Sequence, residues 1–350
     1  MKRIPVYFGF VGAVFAAAAA IVLYTLFSFN YFGRVEHAFE GSCAPVAGVA
    51  GPEDLQIDRV RRRAVISSYD RRAEDARGAI YVFDLDDPLS AEGWRDRTGG
   101  APKDFAPVGL SYYEDGDVRR LFVVNAAAQS VELYDVAENG DLAHLETFAE
   151  RRLTSPNDVA AVGPRAFYVT NDVEGGRDGP LASLQFLARI GSGRILYFDG
   201  VAWRTAAEGL RFANGVGLSP DGARAYATET AGETLLVYDR DIDSGVLHLA
   251  ETVRMNAAPD NINVDEMGVL WIAAHPKPLA IPRLRRDPKA RAPSLVLRYR
   301  DAPALGAEAA AIYADEGGEL SAASAAARFR ETMLIGAVFE DKFLICELPD

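Results

Sequence analysis

The sequence predicts an all-β protein: a six-bladed β-propeller with two central calcium sites, preceded by an N-terminal transmembrane helix. Three observations support this prediction. Short apolar runs alternate with Gly, Pro, Asp and Asn from about residue 50 onward, which is typical of sheets joined by tight turns. A phrase containing two such runs recurs at the spacing of one four-stranded blade. A nearly uncharged stretch near the N-terminus predicts the helix.

The N-terminal stretch has the length of a membrane anchor. Lys2 and Arg3 precede a nearly uncharged run from Ile4 to Phe32, and about 20 apolar residues span a bilayer. The cations are expected to stay inside, which places the rest of the chain in the periplasm or extracellular space. A cleaved signal peptide is the alternative. We assign residues to an anchor (1–33), a linker and ring-closure segment (34–49) and the propeller (50–350).

The composition restricts the partners of the protein. The 350 residues carry a formal net charge of -13. An acidic surface argues against nucleic acid and anionic lipid as partners and is compatible with cation binding, although the same bias also serves solubility. The length suits either two domains or one large repeat fold. The sequence does not determine the oligomeric state.

The two cysteines lie near opposite ends of the exported part. Cys43 and Cys346 can form a disulfide in an oxidising compartment. Closing a loop of about 300 residues is worth on the order of 5 kcal/mol in the chain-entropy model. This pair falls where the first and last blades of a closed ring are expected to meet. Two unrelated buried thiols are the alternative.

The recurring phrase sets the number of blades. A small apolar strand, a turn and a second apolar strand ending near an acid or amide begin at Pro107, Pro156, Ala213 and Pro259. These starts are 49, 57 and 46 residues apart. A first blade from Glu53 and a last blade from Leu320 bring the number to six. The alternative is a pair of β-sandwiches with accidental self-similarity.

Two segments interrupt the strand pattern. The segment from Gly179 to Ile190 is the best candidate for a short helix, and it is placed to cap the channel opening. The Arg-rich segment "PRLRRDPKARAP" from Pro282 has the composition of a solvated surface insertion.

Oxygen-bearing side chains recur in phase with the phrases, at the starts of predicted inner strands. These side chains come from four of the six predicted blades and are Glu53, Asn157, Asn214, Asp260 and Asn261. Inner strands line the channel of a propeller, so these side chains can converge. Carboxylate and amide oxygens without a thiolate or imidazole suit a hard cation such as calcium. A single Asn or Asp of this kind is more often a turn former.

A second cation is predicted deeper in the channel. Adjacent residues in extended backbone point in opposite directions. If Glu53 and Asn157 face one ion, Asp54 and Asp158 face elsewhere. These two carboxylates, together with main-chain carbonyls, can hold the second ion.

Taken in order, the motifs resemble those of the paraoxonase and arylesterase family over roughly residues 43–348. They are "GPEDLQI" at Gly51, "PNDVAAVGP" at Pro156, "FANGVGLSPDG" at Phe212, "DNINVD" at Asp260, "LWIAAHP" at Leu270 and "LIGAVF" at Leu334. The resemblance implies a six-bladed propeller, an uncleaved anchor and a Cys43–Cys346 disulfide. It also implies hydrolysis of lactones and aryl esters, and of phosphotriesters by some members.

The resemblance further implies two calcium ions. The upper, catalytic ion would be bound by Glu53, Asn157, Asn214, Asp260 and Asn261. The lower, structural ion would be bound by Asp54, Asp158 and the carbonyl of Leu110.

The chain departs from the family pattern at two histidines. The proposed base–shuttle pair of the family falls here at Val108, in "FAPVGLS", and at Ala126, after "VVN". Neither side chain can move a proton. Asp260 and His275 are therefore the candidate catalytic residues. Asp260 has the position of the metal-bound aspartate of gluconolactonase-like enzymes, and a structural role beside Pro276 is the alternative for His275.

These observations favour a membrane-anchored, calcium-dependent hydrolase of carboxylic esters or lactones, with calcium polarising the carbonyl. Val108 and Ala126 make the pocket wall more apolar than in the family, so we expect a small apolar ester or lactone as substrate. The alternative is a non-catalytic, calcium-stabilised propeller that acts as a binding scaffold. A strictosidine-synthase-like condensing enzyme, without calcium, is a third hypothesis.

Overall fold

The computed structural model describes residues 15–16, 19–73, 75–87, 94–301 and 309–349. Part of the predicted anchor, residues 1–14 and 17–18, lies outside this set. Residues 19–28 form a helix. Within the described ranges, no helix combines the length and the apolar character that crossing a membrane requires.

The described chain contains 24 strands, which form six four-stranded antiparallel sheets. Blades one and two contain β2 (Leu55–Asp58), β3 (Arg63–Ser68), β4 (Ala79–Asp84), β5 (Trp94–Asp96), β6 (Pro107–Asp115), β7 (Val118–Asn125), β8 (Ser130–Val136) and β9 (Leu142–Ala149). Blades three and four contain β10 (Pro156–Ala161), β11 (Phe167–Asn171), β12 (Gly193–Phe198), β13 (Trp203–Leu210), β14 (Ala213–Leu218), β15 (Arg224–Glu229), β16 (Thr234–Arg240) and β17 (Leu247–Arg254). Blades five and six contain β18 (Ala258–Val264), β19 (Val269–His275), β20 (Ser294–Arg300), β21 (Ala310–Asp315), β22 (Ala323–Phe329), β23 (Thr332–Ala337), β24 (Lys342–Glu347) and β1 (Ser42–Ala47).

The sheets form a closed propeller. The first strand of each blade contacts the first strand of the next, from β2 through β6, β10, β14 and β18 to β22, and β22 contacts β2. The all-β, six-bladed architecture predicted from the sequence is therefore confirmed. Apolar side chains fill the space between blades, as where Phe122 of blade two meets Phe167 of blade three at 5.3 Å between ring centroids.

The two ends of the chain build the sixth blade together. Strand β1 pairs with β24, and Cys43 faces Cys346 in this pairing. The two residues form a disulfide, which confirms the predicted pairing and joins positions 303 residues apart. The bond lies between two strands of one blade rather than between the first blade and the last. The ring is therefore closed by sharing one sheet between the two termini.

Two short helices lie on the side of the ring where the inner strands begin. Helix Ala182–Leu187 follows β11, as predicted for the segment from Gly179 to Ile190. Phe186 stacks on Phe29 at 5.5 Å and meets Phe212, just before β14, at 5.2 Å. The N-terminal segment, this helix and the rim of the channel thus share one apolar contact.

The second helix, Ile281–Arg286, lies in the Arg-rich segment, whose arginines are exposed as expected of a surface insertion. Leu284, Ala290 and Ala292 are buried and pack together. Arg72 donates from Nε to the Leu284 carbonyl at 3.0 Å. The apolar residues between the arginines of this segment supply one buried face. The number of charges in the segment gave no indication of this face.

Candidate metal centre and active site

Five of the six inner strands contain a β-bulge at the same place. The pairing register shifts between Pro107 and Leu110 and at the corresponding points of β10, β14, β18 and β22. A bulge leaves residues unpaired and redirects their side chains. The residues enclosed by the shifts are Val108, Gly109, Asn157, Asp158, Asn214, Gly215, Asp260, Asn261 and Ser324. The predicted ligands of blades three to five therefore lie inside strands, whereas Glu53 and Asp54 precede β2.

The upper group of predicted ligands presents oxygen atoms that lack partners. Among the described residues, no hydrogen bond reaches the buried atoms Glu53 Oε2, Asn157 Oδ1, Asn214 Oδ1 or Asn261 Oδ1. Hydrogen bonds from the amide nitrogens fix the orientation of two of these side chains. Asn214 Nδ2 donates to Thr230 Oγ1 at 3.0 Å, and Asn261 Nδ2 donates to the Glu53 carbonyl at 3.2 Å. A buried polar atom without a partner costs about 1–3 kcal/mol. This donor set fits a hard cation.

The Glu53 carboxyl has the burial and the shifted pKa that are expected of a carboxylate in a cation site. It is 4% exposed. Burial raises its pKa to about 7, the neighbouring Asp260 carboxylate adds to the rise, and Arg71 opposes it. A divalent cation between two buried carboxylates offsets their mutual repulsion and favours their ionised forms. Glu53 and Asp260, from the first and fifth blades, are thus brought into one electrostatic group.

Asp54 and Asp158, the predicted lower ligands, form a second pair of buried carboxyls. Asp54 accepts N–H groups from Leu55 at 2.8 Å and Leu110 at 2.7 Å. Asp158 accepts two N–H groups in the same way, from Val159 and Val216, both at 2.8 Å. Burial raises the pKa of both carboxyls, and the charge of Asp54 raises that of Asp158 further. The pair fits a second cation by charge, and its contact with Leu110 is made through the Leu110 amide group.

Three hydroxyl residues that the sequence analysis missed hold the inner strands. Ser67, Thr170 and Thr228 are each the penultimate residue of the second strand of their blade. The Thr170 hydroxyl donates to the Asn214 carbonyl at 2.6 Å, and the Thr228 hydroxyl donates to the Asp260 carbonyl at 2.7 Å. The Thr170 and Thr228 hydroxyls therefore tie their blades to the ligand-bearing strand of the next blade. The Ser67 hydroxyl instead bonds to the Asp54 backbone within its own blade. Their common position is a repeat signal that the sequence already contains.

Gly109 lies where the second and third blades come closest. A Cβ atom there would lie 2.4 Å from Asp158 Cα and 2.5 Å from Asp158 Oδ1. Gly109→Ala is expected to displace the Asp158 carboxylate, to destabilise the fold by roughly 1–3 kcal/mol, and to weaken one of two calcium-binding events in a calcium titration. Gly163→Ala, whose Cβ would lie 3.6 Å from its nearest neighbour, is the matched control. Unchanged melting temperature and stoichiometry in Gly109→Ala would contradict this assignment.

The two candidate catalytic residues form a pair. His275 ends β19 and Asp260 lies in the bulge of β18, two strands joined by the pairing of Ala258 with His275. His275 Nε2 lies 2.8 Å from Asp260 Oδ2, and both side chains are 6% exposed. His275 Nδ1 is buried and has no hydrogen-bond partner in the described part of the chain. The sequence pointed to these residues separately, and the fold makes them one hydrogen-bonded unit.

The wall beside this group is apolar in blades two and three. Val108 is 2% exposed and belongs to a cluster with Phe122 and Phe167. Ala126 packs against the same cluster. Neither position offers a proton donor or acceptor on its side chain.

Two arginines near the group carried no motif and were not predicted. Arg71, in the loop between β3 and β4, places Nη2 3.8 Å from Glu53 Oε1. Arg177, in the loop after β11, pairs with the buried carboxylate of Asp172. Both lie in connecting segments where sequence patterns do not constrain side-chain direction.

Comparison with known proteins agrees with this arrangement. A family model described as Arylesterase matches residues 66–348. The chain belongs to the paraoxonase/arylesterase family. Serum paraoxonase/arylesterase 2 of Gallus gallus is 31% identical to it over 96% of this chain and 98% of its own length. Serum paraoxonase/arylesterase 1 of Homo sapiens is 33% identical over 77% of each chain.

Solved structures with low sequence identity share the fold. A gluconolactonase from Xanthomonas campestris superimposes with a TM-score of 0.57, at 16% identity, over 90% of this chain and 94% of its own. A calcium-binding protein, regucalcin, from Agrobacterium tumefaciens gives a TM-score of 0.52 at 15% identity, over 87% and 93%. At this identity the comparison bears on the propeller alone, and it agrees with the six blades described above.

Proposed function

We propose that this paraoxonase/arylesterase family member is a calcium-dependent hydrolase of carboxylic esters or lactones. The observation that carries the proposal is the set of four buried oxygens that have no hydrogen-bond partner in the described part of the chain, together with the Asp260–His275 pair. Glu53, Asn157, Asn214, Asp260 and Asn261 would hold the upper ion. Asp54, Asp158 and the Leu110 carbonyl would hold the lower ion, whose role is structural.

The protein's own residues would handle the proton. Asp260 Oδ2 orients the imidazole by accepting from His275 Nε2, which leaves Nδ1 as the acceptor. The pair takes a proton from the water that attacks the carbonyl carbon and returns it to the departing alkoxide oxygen. Bound calcium would supply a Lewis acid for the carbonyl oxygen. The apolar wall at Val108 contacts the carbon chain of the substrate and excludes water.

We further propose that residues 1–33 anchor the protein in a membrane and that the propeller lies outside the cytoplasm. The Cys43–Cys346 disulfide supports this compartment, because disulfides persist in oxidising environments. Residues 34–49 then connect the anchor to the ring and close it through β1, and 50–350 form the rest of the catalytic part.

A chelation experiment tests the proposed function. The full-length protein is assayed on phenyl acetate, 4-nitrophenyl acetate and aliphatic lactones, with calcium, with EGTA, and with calcium restored. Turnover that disappears with EGTA and returns with calcium is the expected result. Tight binding of two calcium ions without turnover on any ester or lactone would instead favour the scaffold hypothesis. A protein that binds no calcium would contradict both.

A further inference from the structure

The guanidinium group of Arg71 lies beside the upper group of predicted ligands, and one of its nitrogens makes no hydrogen bond to any described residue. Its side chain is only 12% exposed. Nη1 donates to the Val338 carbonyl at 3.2 Å, which fixes the plane of the group. Nη2 is buried and makes no hydrogen bond to any described residue. Nη2 lies 3.8 Å from Glu53 Oε1, beyond hydrogen-bonding distance.

A second guanidinium lies in the same part of the channel. Arg177 donates from Nε to Asp172, lies over the Phe212 ring at 5.8 Å, and remains 40% exposed. Its charge acts on both Glu53 and Asp260, so it faces the same group of carboxylates as Arg71.

A count of charges shows which of these cations would lack a counter-charge with calcium bound, because Glu53, the ion-pair partner of Arg71 in this structure, would then balance the metal. The carboxylates of Glu53 and Asp260 together balance one divalent ion. Asp172 is paired with Arg177. Arg71 is then left with a full positive charge in a nearly buried position. A buried cation without a counter-charge is unfavourable, and an anionic group arriving with the substrate would supply one.

We propose, on the basis of the proposed function, that the physiological substrate carries a carboxylate and that Arg71 binds this group through Nη2. The substrate is then an ester or lactone with an apolar carbon chain and an acidic end. Val108 and the cluster around it contact the chain, and Arg71 contacts the acid. This replaces the expectation of a wholly apolar substrate, which considered the wall at Val108 and Ala126 without the loop that carries Arg71.

The test uses two esters of equal chain length, one of which ends in a carboxylate and the other in a methyl group. The full-length, calcium-loaded protein is assayed on mono-4-nitrophenyl adipate and on 4-nitrophenyl hexanoate. The wild type is expected to prefer the anionic ester about 10- to 100-fold in kcat/KM, the range of one charge-assisted hydrogen bond to a buried group. Arg71→Gln is expected to lose most of this preference, and Arg71→Lys to recover part of it.

Arg72→Gln is the matched control. Arg72 also bears a charge, but it donates to the carbonyls of Leu284 and Phe339 and does not reach Glu53. This variant should keep the preference for the anionic ester. Equal turnover of both esters by the wild type, unchanged in Arg71→Gln, would overturn the inference and leave the proposed hydrolase intact.

Binding provides a readout that does not depend on turnover. Isothermal titration of the calcium-loaded protein with adipate and with adipamide is expected to show binding of adipate that weakens at least about 10-fold in Arg71→Gln, while adipamide binding is unaffected. If neither ester is hydrolysed, the proposed function fails and this titration still decides the inference. Equal binding of adipate and adipamide would overturn it.

Discussion

Removing calcium is expected to destabilise the protein much more at pH 8 than at pH 5. In the calcium-free protein, burial raises the pKa of Glu53 from 4.5 to about 7 and raises those of Asp54 and Asp158 as well. A raised pKa means that the folded protein binds the proton more tightly than the unfolded chain does. Protonation of Glu53 therefore stabilises the fold below pH 4.5, and this stabilisation disappears as the pH rises to about 7.

The expected size of this effect follows from the Glu53 shift. A rise from 4.5 to about 7 corresponds to about 3 kcal/mol lost between these pH values, before the contribution of the lower pair. Calcium, bound as proposed, would oppose this loss because it would bind the ionised carboxylates of the folded state only. We expect EGTA to lower the melting temperature by on the order of 10 °C at pH 8 and by little at pH 5. The measurement is differential scanning calorimetry at both pH values, with and without EGTA.

Two variants define the origin of this difference. Glu53→Gln should reduce the pH dependence of the calcium-free protein and weaken its response to calcium. Glu229→Gln removes a glutamate that is also buried but ion-paired with Arg211, outside the ligand group, and should keep the full response. A melting temperature that EGTA lowers equally at pH 5 and pH 8 would contradict the role assigned to Glu53.

The sequence was sufficient to predict the blades because their middle strands bury both faces. Strands such as β11 and β19 are buried along their whole length, and their apolar runs stand out. The outermost strands gave no such signal. In β17 only the first residue is buried, and the rest of the strand mixes polar and apolar residues that are exposed or half-buried. Such a strand is held in the sheet by its pairing with β16. No pattern in the strand's own residues indicates this pairing.

The candidate ligands were predictable for a similar reason, and the arginines were not. Asn157, Asn214 and Asp260 recur in phase with the blades, so one repeat locates all of them. Arg71 and Arg177 each occur once, in loops whose course is set by contacts with distant segments, such as Arg71 with Val338. A repeated motif locates side chains that occupy the same position in several blades. Arg71, which we propose to bind the substrate, lies in a single loop, so no repeat indicates it.

Asp260→Asn and His275→Gln are expected to slow ester hydrolysis strongly, in two distinguishable ways. Asp260→Asn removes a charge from the upper ligands, so it should lower kcat/KM by at least about 10³-fold and weaken calcium binding. His275→Gln keeps every predicted ligand and removes only the proton acceptor. It should lower kcat by roughly 10²–10⁴-fold while leaving calcium affinity nearly unchanged.

The distinction depends on the hydrogen bond between the two residues. His275 Nε2 contacts Asp260 Oδ2, so a histidine with a purely structural role would act by holding Asp260 in place. Its substitution would then lower calcium affinity and melting temperature, and the rate would fall only as far as calcium occupancy falls. A catalytic histidine loses rate at saturating calcium and loses the alkaline rise of the pH–rate profile. Asp265→Asn, which removes a buried carboxylate bound to Trp271 outside the channel, should lower stability and retain kcat. Full kcat and an unaltered pH profile in calcium-saturated His275→Gln would assign the proton transfer to Asp260 alone.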